Sequence, residues 1–171
     1  GLRQLGANCG LIAQHAAIEV NGRAYWMSDN SFYMYDGVVK KMPCSVQDYV
    51  FDDLSYTNRN DIACGINTAF NEIIWYYPSA SATAIDRGVA YNYLENTWYT
   101  VNIGRTTWLG AYVFEQPIAT EYSASLTANV STILGLTAGA SYIYEHESGN
   151  NQADGTALPA FLTTGSVEIA D

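Results

Sequence analysis

Glycoside hydrolysis needs two carboxyls about 5 to 10 Å apart, and Glu72, Asp86, Glu95 and Glu121 are acids this chain can offer. Their spacing sets no two of them across a common cleft, so solvated acids at strand ends are the plainer reading. His15 and His146 have neither a metal-ligand partner at helical spacing nor a nucleophile to activate. Cys9, Cys44 and Cys64 form no C-x-x-C pair and no zinc spacing, and read as buried free thiols of a reducing compartment. The polar loop from Gly149 to Gly155 fails as an EF-hand, because the twelfth position counted from Asn150 is Phe161 rather than an acid. The sequon Asn129-Val130-Ser131 is short enough to occur by chance. Tyr25-Trp26 and Trp75-Tyr76-Tyr77 could stack on sugars, although aromatics at strand spacing more often build sheet cores. No catalytic residue, metal site or cofactor is expected.

The charges are unevenly placed. All 7 basic residues, from Arg3 to Arg105, lie at or before position 105. Beyond it stand only acids: Glu115, Glu121, Glu145, Glu147, Asp154, Glu168 and Asp171. Of the formal charge of −10, about −7 therefore falls on the part of the chain after Arg105. Nucleic acid is gripped by Lys and Arg on its phosphates, so this part is no such grip. With 49% hydrophobic and 14% charged residues, the 171-residue chain can bury a core and is not disordered. It has no apolar run long enough to span a membrane.

The elements that must position these residues read as strands. Fourteen tyrosines and four tryptophans suit a pleated, half-buried surface. Strands at 17–20, 24–27, 32–35 and 38–42 are punctuated by Asn21-Gly22, Ser28 to Ser31 and Asp36-Gly37. Lys40-Lys41 marks the last as an edge. A short helix near 46–53 is expected, with Ser45 and Asp48 as a capping pair and Val46, Tyr49, Val50 and Leu54 on one face. A second meander follows, with strands at 62–67, 70–77, 88–93 and 97–101 and a polar loop from Ser79 to Arg87. Tyr33-Met34-Tyr35 and Tyr91-Asn92-Tyr93 hold the same place in the two units. Four-stranded units at this period are how propeller blades look in sequence. Further strands are expected at 141–144 and, as a pair, within 160–169. The expectation is an all-β chain: antiparallel meanders forming part of a β-propeller, with one short helix. Residues 1–118 would hold two blades and the helix, and 119–171 further strands continuing the propeller or an adjoining β region. Gly1 in place of Met, and the strand-like run from Ser166 to Asp171, suit a processed or partial chain. The turn Ser28-Asp29-Asn30-Ser31-Phe32 lacks the glycine and spacing of the Asp-box turns that sialidase-type propellers carry, which weakens an enzymatic reading.

The stretch from Asn71 to Trp108, with W-Y-Y-P-S-A, I-D-R and Y-N-Y-x-E-x-x-W in order, resembles a segment of the tail nozzle proteins, or tail tubular B-type proteins, of short-tailed bacteriophages. AYWMSDNSFYMYDGVVKKMPCSVQDYVFDD upstream and ASYIYEHESG downstream resemble the same group, so the likeness runs over roughly residues 5 to 169. The resemblance implies a non-enzymatic virion structural protein without cofactor, made in the host cytoplasm and residing in the phage tail. It implies propeller-containing subunits in a six-fold ring around a DNA channel, in contact with other tail proteins, with DNA passing unbound and no membrane partner. An acidic wall repels phosphates over a Debye length of roughly 8 Å. That gives Glu115, Glu121, Glu145, Glu147, Asp154 and Glu168 an expected role as channel-facing carboxylates without basic partners. The rival expectation is a carbohydrate-binding or glycan-cleaving propeller of a host-recognition device, which would need two close carboxyls or an exposed aromatic platform.

Overall fold

A computed structural model of the chain describes residues 4–111, 114–123 and 140–149. Among these residues eleven strands form three antiparallel sheets, with one α-helix between the first two. The first sheet is a meander of β1 (Ala17–Val20), β2 (Arg23–Met27), β3 (Phe32–Tyr35) and β4 (Val39–Met42). Asn21 and Gly22 both take positive φ, 52° and 77°, as a type I′ turn requires. β4 is an open edge, and the exposed Lys40 and Lys41 there discourage further pairing.

Helix α1 (Gln47–Asp53) lies where the sequence places it, but without the expected cap. Its N-cap is Val46, and no side chain bonds the first turn. Its buried face also differs from expectation. Val50 is buried and Phe51 packs on Phe32 at 5.4 Å, whereas Tyr49 is 54% exposed. Leu54 is buried from beyond the helix end, in extended backbone that bridges to Ser79.

The second sheet is β5 (Ala63–Asn67), β6 (Glu72–Tyr77), β7 (Arg87–Asn92) and β8 (Thr97–Val101), again a meander. β6 begins two residues later than the apolar run predicts, because Asn71 takes a positive φ of 60° and belongs to the turn. The loop from Ser79 to Asp86 is closed by the Asp86 carboxylate, which accepts the Ser79 amide at 2.7 Å and hydroxyl at 2.8 Å. β3 and β7, the two Tyr-x-Tyr strands, are the third strands of their sheets.

The second sheet is covered on both faces, which is why β6 reads as a continuous apolar run rather than an alternating one. Ile73, Trp75 and Tyr77 point to the first sheet and join Tyr25, Met27 and Phe32 in the larger core. Phe32 lies 5.0 Å from the Trp75 ring and 4.7 Å from Trp98. The Trp75 indole N–H donates to the Ala16 carbonyl at 3.0 Å, so the largest core side chain has no orphaned donor. Truncating such a residue to alanine costs about 3–5 kcal/mol. The other face presents Ile74, Tyr76 and Ala90 to Trp108 of the third sheet.

That sheet is β9 (Thr107–Leu109), β10 (Ile118–Ser123) and β11 (Ala140–Glu145), with β10 in the middle. The first strands of the sheets lie side by side, β1 against β5 and β5 against β9. His15, just before β1, bridges Ala63 of β5 in parallel sense. No helix among the described residues is long and apolar enough to cross a membrane. The strand pair expected within 160–169, Asp154, Glu168, the sequon at Asn129 and most of the loop after Gly149 lie outside the described residues.

Candidate functional site

The chemistry-bearing side chains gather where the third sheet meets the second. Gly65 on β5 makes the meeting close. A Cβ there would lie 2.5 Å from the Trp108 side chain, so only glycine lets the indole rest on the strand. Trp108 is then held by its N–H, which donates to the Ile66 carbonyl at 2.7 Å, and it stacks on Tyr76 at 6.1 Å.

Beside Trp108 lies Arg105, the last basic residue of the chain and 9% exposed. Its Nη1 donates to Glu121 Oε2 and to the Gly104 carbonyl, both at 2.7 Å. Its Nε donates to His146 Nε2 at 2.8 Å, and the guanidinium sits 4.4 Å from the Tyr144 ring centre. His146 must be neutral to accept at Nε2. Burial, then the adjacent guanidinium, push its pKa down to about 4. Burial raises the Glu121 carboxyl, and Arg105 offsets that in part. Arg105 therefore ties β10, the end of β11 and the 102–106 connection together through Nε and Nη1, and is a paired rather than a free cation.

The six expected acidic residues are not alike. Glu121 is the ion-pair partner of Arg105, with its side chain only 22% exposed, so it is not an unpartnered carboxylate. Glu115 and Glu145 are exposed, and neither is in an ion pair among the described residues. Glu147 takes a positive φ of 58° and accepts the Asn67 side-chain amide at 3.0 Å. Asp154 and Glu168 lie outside the described residues.

The acids weighed for hydrolysis also separate. Asp86 closes its own loop, and Glu95 stands exposed in the β7–β8 turn. Glu72 instead faces a cleft of about 160 Å³ between the second and third sheets, and Glu147 lines the same cleft. Sequence spacing gives no sign that Glu72 and Glu147 share a cleft. Asn67, which holds Glu147 across a separation of 80 residues, carries no signal of such a role in sequence. A larger hollow of about 470 Å³ beside Pro43 and Trp98 is lined without acids or bases, and burial raises the Cys44 thiol there.

All three cysteines are free and partly exposed, and burial raises the Cys64 thiol as well. No group of three or more His, Cys, Asp or Glu among the described residues could hold a metal ion. No protein-family model matches the chain, and no curated protein matches it.

Proposed function

We propose that the protein is a non-enzymatic structural subunit of a phage tail, assembling with copies of itself into a ring that conducts DNA. The three sheets are read as successive blades of a β-propeller. The observation that carries this reading is the neighbouring of β1, β5 and β9, the first strands of consecutive four-, four- and three-stranded meanders. Propeller blades start from their central axis in this way, and a propeller-containing subunit is what the resemblance to tail nozzle proteins implies. Burial of the aromatics adds support. Of the aromatics that could stack on sugars, Tyr25, Trp75, Tyr76 and Tyr77 are core residues at most 2% exposed, and Trp26 is half-buried against Tyr33.

The rival, a glycan-binding or glycan-cleaving propeller, draws on one observation, the cleft that Glu72 and Glu147 share. Electron microscopy of the native particle and of the purified protein tests the choice. A symmetric ring containing this chain is the expected result. Glycan hydrolysis by a monomer, with no ring in the particle, would overturn the reading in favour of the rival. The conduit role has its own test. Reversing the exposed Glu115 and Glu145 to Lys should leave folding intact yet slow DNA ejection, more at low salt than at high salt. Ejection unchanged at every salt concentration would remove that role.

A further inference from the structure

Glu72 and Glu147 line one cleft, and among the described residues neither is in an ion pair. The nearest cation described above, Arg105, is committed to Glu121, Gly104 and His146. Three donors of the cleft are used, while the Tyr76 hydroxyl and the His146 Nδ1–H have no partner among the described residues. The Asn67 amide serves Glu147, the Tyr99 hydroxyl serves Glu72, and the Trp108 indole serves Ile66. What remains for a guest is two carboxylates, the Tyr76 hydroxyl and the His146 Nδ1–H, between the rings of Tyr76, Tyr99 and Trp108, with no Lys or Arg in the lining.

A neutral sugar hydroxyl would leave the charge of two carboxylates without a base in the lining uncompensated, so it matches the site less well than a cation does. An ammonium group has three donors and no acceptor, and is drawn to aromatic faces as well as to carboxylates. The volume of about 160 Å³ is about five times the ~30 Å³ share of one water, which suits the tip of an alkylamine and not an oligosaccharide.

We propose that the cleft between the second and third sheets binds an alkylammonium group, between the carboxylates of Glu72 and Glu147 and against the rings of Tyr99 and Trp108. The presence of two acids and no Lys or Arg in the cleft's lining supports this. Burial raises the Glu72 carboxyl, the Tyr99 hydrogen bond lowers it, and the Glu147 charge raises it again. A bound cation would offset that repulsion. The group could belong to a free amine or to a lysine side chain of a partner protein, and the proposal holds whether or not the chain is a tail subunit.

The test is NMR titration of the whole chain at matched ionic strength. The probes are butylammonium, a blocked Gly-Lys-Gly peptide, 1-butanol and methyl glucoside. The expected result is that both ammonium probes, but neither neutral probe, shift the Trp108 indole N–H and the Glu147 amide with millimolar dissociation constants. Glu72→Gln and Glu147→Gln should each weaken that binding about tenfold, as loss of one charged hydrogen-bond acceptor does. Glu147 is exposed, so its variant tests the site even where Glu72→Gln disturbs folding. Tighter binding of the peptide would assign the group to a protein lysine, and tighter binding of butylammonium to a free amine. Silence of both signals toward every ammonium, equal binding of 1-butanol, or preferred binding of methyl glucoside would overturn the proposal.

Discussion

Replacing Gly65 by alanine tests how the third sheet is seated. In a strand open on that face the substitution would stabilise by about 0.5–1 kcal/mol, because alanine loses less backbone entropy on folding. Here the added methyl would lie 2.5 Å from both Cβ and Cγ of Trp108, against an ordinary contact of 3.4 Å or more. The indole must therefore retreat by roughly 1 Å. Overpacking of this kind costs about 1–3 kcal/mol. The retreat also strains the 2.7 Å bond from Trp108 to the Ile66 carbonyl, a further ~1 kcal/mol if lost. Set against the entropic gain, the net expectation is destabilisation by about 2 kcal/mol, opposite in sign to the open-strand case. Urea denaturation measures the total, and hydrogen exchange locates it. Amides of β9, β10 and β11 should exchange faster while those of β2 and β3 hardly change. A variant as stable as the parent or more so, with exchange in the third sheet unaltered, would refute this account of the seating.

Arg105→Ala should cost about 3 kcal/mol by urea denaturation, since it leaves the mostly buried Glu121 carboxylate without its partner. Loss of under 0.5 kcal/mol would mean that the pair contributes little. Tyr77→Phe should be neutral or stabilising by up to about 1 kcal/mol, because the Tyr77 hydroxyl is buried with no hydrogen-bond partner among the described residues. Marked destabilisation would show that the hydroxyl is satisfied after all. His146 has a folded pKa near 4 against an ordinary 6.5, so the folded state binds fewer protons than the unfolded state between these values. Stability should fall as pH drops from 6.5 to 4. Glu121, whose carboxyl is raised, contributes the opposite slope. The difference between the parent and His146→Gln therefore isolates the histidine, and parallel pH profiles for the two would rule its contribution out.

Most strand positions were legible because their limits are set by turn chemistry a few residues long. Asn21-Gly22 takes the positive φ that its residue types favour, and strands β1, β2 and β3 begin and end within a residue of expectation. Where a limit moved, a local conformation moved it, as at Asn71 before β6. The helix cap was misread because Ser45 and Asp48 have suitable types and spacing, while the chain enters the helix one residue later, at Val46. The candidate site was far less legible. Its contacts join residues distant in sequence, as in Trp108 to Ile66 across 42 positions and Asn67 to Glu147 across 80. One hint was available. Arg105 is the last base before a stretch holding only acids, so an acid in that stretch that became buried had this base closest to it in sequence.

The double cover of the second sheet has a consequence during synthesis. The residues that cover its first face, Met27 and Phe32 among them, leave the ribosome before β6 does. On its second face Ile85 is already in place, but the third sheet with Trp108 comes later. Between the end of β8 at Val101 and the end of β11 at Glu145 lie roughly forty residues, which at about 5–20 residues per second take some 2–8 s to make. Through that interval Ile74, Tyr76 and Ala90 form a wet apolar surface on an otherwise packed pair of sheets, next to the uncharged open edge of β8. The nascent chain is therefore at its most adhesive after two sheets are complete and before the third arrives. Chaperone demand, or aggregation of chains stalled there, should peak in that window rather than at the start of translation.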